Sequence, residues 1–128
     1  MISIPVSIGE LIDKIVILEI KIKNIEESDR RQKCIEEHDL LFDIAKQNKF
    51  IFLKEMDELK KVNQRLWNIE NSIRQKTMNK DFDDEFIELA QNSFRTNEAR
   101  AKIKWKINRL ANSEIIEQKE WVGYKESD

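Results

Sequence analysis

The amino-acid sequence predicts an all-α fold: an antiparallel bundle of about four helices, with a short extended N-terminal arm and a C-terminal tail that packs back on it. Three observations carry this expectation. Only two Gly and one Pro occur in 128 residues, too few turn and breaker residues for a sandwich or barrel. Charged residues make up 38% and hydrophobic residues 40% of the chain, the mixture expected when amphipathic helices cover a core and show water a mixed-sign face. The apolar residues also recur at steps of three and four, which keeps them on one helix face. A chain of this length suits one continuous core and not two, so a single helical-bundle domain over 1–128 is expected.

The elements follow in order. Ile2 to Val6 alternates weakly around Pro5 and reads as a short extended arm or an edge strand, not a central one. Ser7-Ile8-Gly9-Glu10 has the form of a capping box, with Glu10 expected to return the bond that Ser7 receives. From there Ile8, Leu11, Ile15, Leu18, Ile22 and Ile25 form one stripe, and Ile12, Val16, Ile17 and Ile20 widen it to most of the circumference. This first helix, Ser7 to Glu27, is therefore placed at the centre of the bundle. A second helix is capped by Ser28 or Asp29 and turns Cys34, Ile35, His38, Leu41, Phe42 and Ala45 inward. Gln47-Asn48-Lys49 is the expected turn, although it contains neither Gly nor Pro. A third helix over Phe50 to Lys76 buries Leu53, Met56, Leu59, Val62, Leu66, Ile69 and Ile73. After a polar loop, Asp83 or Asp84 caps a fourth helix carrying Phe86, Ile87, Ala90, Phe94, Ala101, Ile103, Ile107 and Leu110. Trp121, Val122 and Tyr124 belong to the tail.

Composition narrows the function classes. Lys and Arg number 23 against 25 Asp and Glu, a net charge of −2, so nothing draws the chain toward polyanions and nucleic acid is not an expected partner. One cysteine, Cys34, rules out an intrachain disulfide and fits a reducing compartment. No apolar run approaches the roughly 20 residues of a membrane span, and the N-terminus lacks the pattern of a secretory signal. A cytoplasmic protein without a membrane partner is expected.

The feature richest in chemistry is a polar stripe beside core-facing positions. Asn63, Trp67, Glu70 and Arg74 share one face of the third helix, Asn97, Arg100, Lys104 and Asn108 one face of the fourth, and Glu19 interrupts the apolar row of the first. Charges beside a core are costly unless paired, so these groups either pair with one another or contact a ligand. Pairing would join Glu70 to Arg100, and Glu19 to Lys104 or Arg74. Other clusters read more weakly. The acids of Glu36-Glu37-His38-Asp39, Glu55 with Glu58, and Glu85 with Glu88 suggest metal ligands only if they project inward, and Glu55 and Glu58 are expected to face solvent. No metal or other cofactor is therefore expected. Cys34 and His38 read as small inner-face residues, and Lys102, Lys104, Trp105, Lys106 and Arg109 as a solvated basic face.

Three blocks together, Val6 through Gly9-Glu10-Leu11-Ile12-Asp13-Lys14 to Ile15, Val62-Asn63 through Leu66-Trp67 to Glu70 and Arg74, and Phe94-Arg95-Thr96-Asn97 through Arg100 to Asn108, resemble a family of small uncharacterised bacterial and phage helical proteins, a domain of unknown function. The resemblance implies a helical fold and an association with surface-polysaccharide genes, and it supplies no reaction. It departs from the family pattern at Phe94, where Tyr is expected.

Two functions remain open. One is a non-enzymatic helical interaction module that forms a homo-oligomer, because the first helix is apolar over more of its circumference than one neighbour covers and because Trp67, Trp105 and Trp121 add bulky surface. The other is an enzyme or binding protein for a small anionic, sugar phosphate-like metabolite held between the third and fourth helices. Arg74, Arg100 and Lys104 would neutralise it, Asn63, Asn97 and Asn108 would fix its hydroxyls, and Glu70 would act as general base.

Overall fold

A computed structural model describes residues 1–119. It contains four helices, α1 (Ile8–Asn24), α2 (Ser28–Gln47), α3 (Leu53–Met78) and α4 (Asp84–Leu110), and no strand among the described residues. The all-α bundle expected from the sequence is the fold observed. The tail residues Trp121, Val122 and Tyr124 lie outside the described residues.

Helix α1 starts where the capping pattern places it. Ser7 is extended, with ψ at 155°, and its hydroxyl accepts from the Glu10 N–H at 3.1 Å. The other half of the expected box is absent, because the Glu10 carboxylate turns instead to the Lys104 ammonium, 2.7 Å away. Two further N–H groups of the first turn are taken by the far end of the chain: Ile8 donates to Ser113 Oγ at 3.1 Å and Gly9 to Asn108 Oδ1 at 2.6 Å. Side chains thus satisfy three orphan donors of this helix end. Gly9 is required for the approach, since a Cβ there would lie 2.5 Å from the Lys104 carbonyl oxygen.

The widened apolar surface of α1 has a simple explanation in the fold: the helix packs against α2, α3 and α4 at once. Ile12, Ile15 and Val16 meet Ala45, Leu59 and Ile107 in the core, with Leu41, Phe42, Phe50, Met56 and Ile103 around them. The circumference that suggested an oligomer is therefore covered within the chain. Glu27, and not Ser28 or Asp29, caps α2, its carboxylate accepting from the N–H groups of Asp29 and Arg30.

The turn after Gln47 forms without glycine. Lys49 takes the left-handed conformation at φ 61°, and the Phe50 N–H reaches back to the Ala45 carbonyl. Lys80 (φ 54°) and Asn112 (φ 55°) close α3 and α4 in the same way, through Asp81 to Lys76 and Ser113 to Asn108. These are three Schellman ends with Lys, Lys and Asn where Gly is usual.

Helices α3 and α4, of 26 and 27 residues, outreach the 17-residue α1. At 1.5 Å per residue the difference is roughly 14 Å. Among the described residues, side-chain bonds from α1 to this pair fall on Lys60, Asn63, Arg100, Lys104 and Asn108. From residue 70 to residue 95 nothing is buried. This distal stretch is a two-helix arm whose partly covered seam is made of Ile73, Lys76, Phe86, Leu89, Asn92 and Ser93. Residues expected inside consequently lie in water on the arm, namely Ile87 (52% exposed), Phe94 (60%) and Ala90, and so do Leu53 (76%) and Leu110 (52%) at the opposite ends of α3 and α4. Helical period alone cannot distinguish a face that meets a third helix from one that meets nothing.

Candidate functional site

The organising group of the polar region is Asp13, a carboxylate with no solvent exposure in the most apolar helix. It sits in the buried row Gly9, Asp13, Val16, Ile20, whose steps of four, three and four hold it against α3 and α4. Asn63 Nδ2 donates to Asp13 Oδ1 at 2.8 Å. Arg100 donates through Nε to both oxygens, at 3.1 and 3.2 Å, and through Nη2 to Oδ2. Lys104 Nζ stands 3.9 Å from Oδ2. One carboxylate thus ties three helices together through a fork-shaped guanidinium, the strongest geometry such a pair offers.

Lys104, itself buried, is shared among acids: Glu10 at 2.7 Å and Glu117 at 3.2 Å, with Asp13 behind them. Burial works to lower its pKa. The bond to Glu10 and the charges of Asp13, Glu10 and Glu117 outweigh that, so the pKa is raised and the ammonium stays charged. Arg100 is likewise held as a cation, its bond to Asp13 outweighing burial. Above them lies an open polar cleft of about 200 Å³, lined by Glu10, Asn97, Arg100, Ala101, Lys104, Glu117 and Lys119.

The nine residues singled out from the sequence separate into groups. Asn63 and Arg100 meet on Asp13, Lys104 meets Glu10, Asn108 receives the Gly9 N–H, and Asn97 faces the cleft. Glu70 and Arg74 are exposed on the arm, where Arg74 donates to Asn71 at 3.0 Å. Trp67 is half-buried on α3 and does not line the cleft. The expected Glu70–Arg100 pair is replaced by Asp13–Arg100, because α1 crosses the α3–α4 pair below Glu70 and brings a nearer acid. Glu19 likewise meets neither Lys104 nor Arg74 but His38 Nε2 at 3.0 Å and Lys60 at 3.4 Å. The cleft lies between α1 and α4, not between α3 and α4.

Asp13, Glu10 and Glu117 were not among the nine, Glu10 having been read only as a capping residue. A signal for the first existed: an acid on the buried row of a helix with isoleucines on either side needs a cation, and Arg100 and Lys104 were the candidates. Nothing local marks Glu117, which reaches Lys104 only through the path of the chain after α4.

The remaining clusters have other partners. His38, stacked on Phe42 with ring centroids 5.6 Å apart, has a carboxylate on each nitrogen, Glu19 and Asp39. Burial works to lower its pKa, and those two acids together raise it above 6.5. Glu55, expected in solvent, is buried at the start of α3. Among the described residues no group of three or more His, Cys, Asp or Glu is arranged to hold a metal ion, and no helix is long and apolar enough to cross a membrane.

Residues 2–126 match the model of a family described as a family of unknown function (DUF6165). Among curated proteins and among solved structures nothing matches significantly.

Proposed function

We propose that this chain, which belongs to that family of unknown function, is a non-enzymatic helical interaction module that assembles with a second copy of itself through the outer face of the α3–α4 arm. The observation that carries the reading is the arm: no residue from 70 to 95 is buried, while Met78, Phe82, Ile87 and Phe94 are each more than half exposed. Two helices in water gain little from one seam, and helices this long owe their stability chiefly to packing of an apolar face. Ile87 and Phe94 are seven residues apart, two turns along one side of α4, as a helix-to-helix contact requires.

Charge supports a like partner. Helix α4 carries exposed Asp84, Glu85 and Glu88 near its start and exposed Arg95, Lys102 and Arg109 further along. The order suits the helix dipole, and two such helices laid antiparallel with Ile87 against Phe94 set Arg95 of each copy near the acids of the other around a two-fold axis. The polar region fits this role, since Asp13, Arg100 and Lys104 are matched within the chain and tie α1 to α3 and α4. The single cysteine supports a reducing compartment, and the proposed place of work is the cytoplasm.

Sedimentation equilibrium across a concentration series tests the reading. A dimer is expected, and Ile87→Glu with Phe94→Glu should dissociate it while the helical signal persists. A monomer at several hundred micromolar would overturn it.

A further inference from the structure

We infer that the α1–α4 cleft is a binding site for a small oxyanion, a phosphate or carboxylate group, and that in this structure the chain's own Glu117 carboxylate stands in for it. The first ground is the inventory of unused groups. Arg100 spends Nε and Nη2 on Asp13, leaving Nη1 without an acceptor among the described residues, on a side chain 26% exposed toward the cleft. Asn97, one helical turn earlier on the same wall, makes no side-chain hydrogen bond among the described residues. Lys119 adds an ammonium to the rim. A guanidinium edge, an amide and an ammonium converging on one polar space make a recognition set for an oxyanion.

The second ground is Glu117 itself. Asp13 and Glu10 are built into α1, but Glu117 belongs to a non-helical segment in which residues 114–119 are all exposed. It is tied to the cleft by its carboxylate on Lys104, at 3.2 Å, and by its carbonyl, which accepts from Trp105 Nε1 at 2.7 Å. A carboxylate delivered by an exposed segment to a buried ammonium occupies the place that a free anion would take. Leaving, it would strip Lys104 of one of its two bonded acids and open the cleft on the side of Arg100 and Asn97. The volume, about 200 Å³, is below the several hundred typical of drug-sized ligands, so the site takes a compact group such as a phosphate or a short carboxylate and not a nucleotide.

The experiment titrates inorganic phosphate and, separately, acetate into the full chain, following backbone amide shifts by NMR at constant ionic strength. Saturable shifts centred on Asn97, Arg100 and Lys104 are expected. Glu117→Gln should tighten binding roughly five-fold by removing a competing charge, and Asn97→Asp should weaken it by a similar factor. Glu117 is exposed and Asn97 half-buried at the cleft wall, and circular dichroism checks that each variant stays folded. Stronger binding of phosphate identifies a phosphate site and stronger binding of acetate a carboxylate site. The absence of saturable shifts in Glu117→Gln, or binding that neither substitution changes, would overturn the inference.

Discussion

The two ends of the α3–α4 pair are built from the same helices and differ in almost every physical respect. At the base, α1 crosses the pair, Leu59 and Ile107 are fully buried, and a carboxylate with no solvent exposure is shared by Asn63 and Arg100. On the arm no residue is buried, and the charged side chains face water or each other, as Lys76 does with Asp81, Asp83 and Glu85. What separates them is the reach of α1. The base gains a third helix and therefore an interior in which charges must be matched, whereas the arm has one seam, which half-covers Ile73, Phe86 and Leu89 and leaves Met78, Phe82, Ile87 and Phe94 exposed. Stability should accordingly be concentrated in the base, and association in the arm.

Substitutions can break or sharpen this contrast. The largest effect is expected at Asp13. Asp13→Asn keeps the volume but leaves Arg100 and Lys104 short of an acid, and should cost about 3 kcal/mol in denaturant unfolding; a loss below about 1 kcal/mol would mean that the three-helix tie does not secure the base. Next is Gly9→Ala, whose methyl would collide with the Lys104 backbone. It should cost about 1 to 3 kcal/mol by forcing α1 away from α4, read as a lower thermal midpoint.

On the arm the expected effects are smaller. Lys80→Gly relieves a left-handed lysine at the α3–α4 turn and should stabilise by about 0.5 to 1 kcal/mol. Slower hydrogen exchange confined to the arm would show that it opens separately from the base. His38 titration gives a pH signature on α1 and α2. Because Glu19 and Asp39 raise its pKa, the stability it contributes is complete below pH 6.5 and is lost as pH rises through the folded value. An NMR titration of the imidazole that gave a midpoint under 6.5 would contradict the pairing. The smallest effect belongs to Glu70→Gln, expected within about 0.5 kcal/mol and additive with Arg100→Gln. Coupling between those two would place Glu70 at the base after all.

Much of the fold was legible because its signals are local. Ser7 marks the start of α1 through its hydroxyl, Asp83 that of α4 through its carboxylate, and the apolar period marks α1 and α3 through the helix repeat. The turn at Lys49 was legible from polarity, although its left-handed lysine was not. The site was legible as a set of residue types and illegible as a set of pairs. Arg100 and Lys104 stood out because cations beside a core need acids. Their acids, Asp13 and Glu10, lie 87 and 94 residues away along the chain, and spacing within one helix carries no information about such a distance.

The sequence by itself therefore determined the class, the helix count, the central place of α1 and the need for charge matching, all of which follow from period, capping chemistry and the cost of burying an unpaired ion. Only the tertiary structure decided which acid meets which base, where α1 stops along the longer pair, and which apolar residues stay in water. Those outcomes depend on where helices cross and how closely, here set by Gly9 against Lys104, and a crossing is a property of two surfaces that no single stretch of sequence contains.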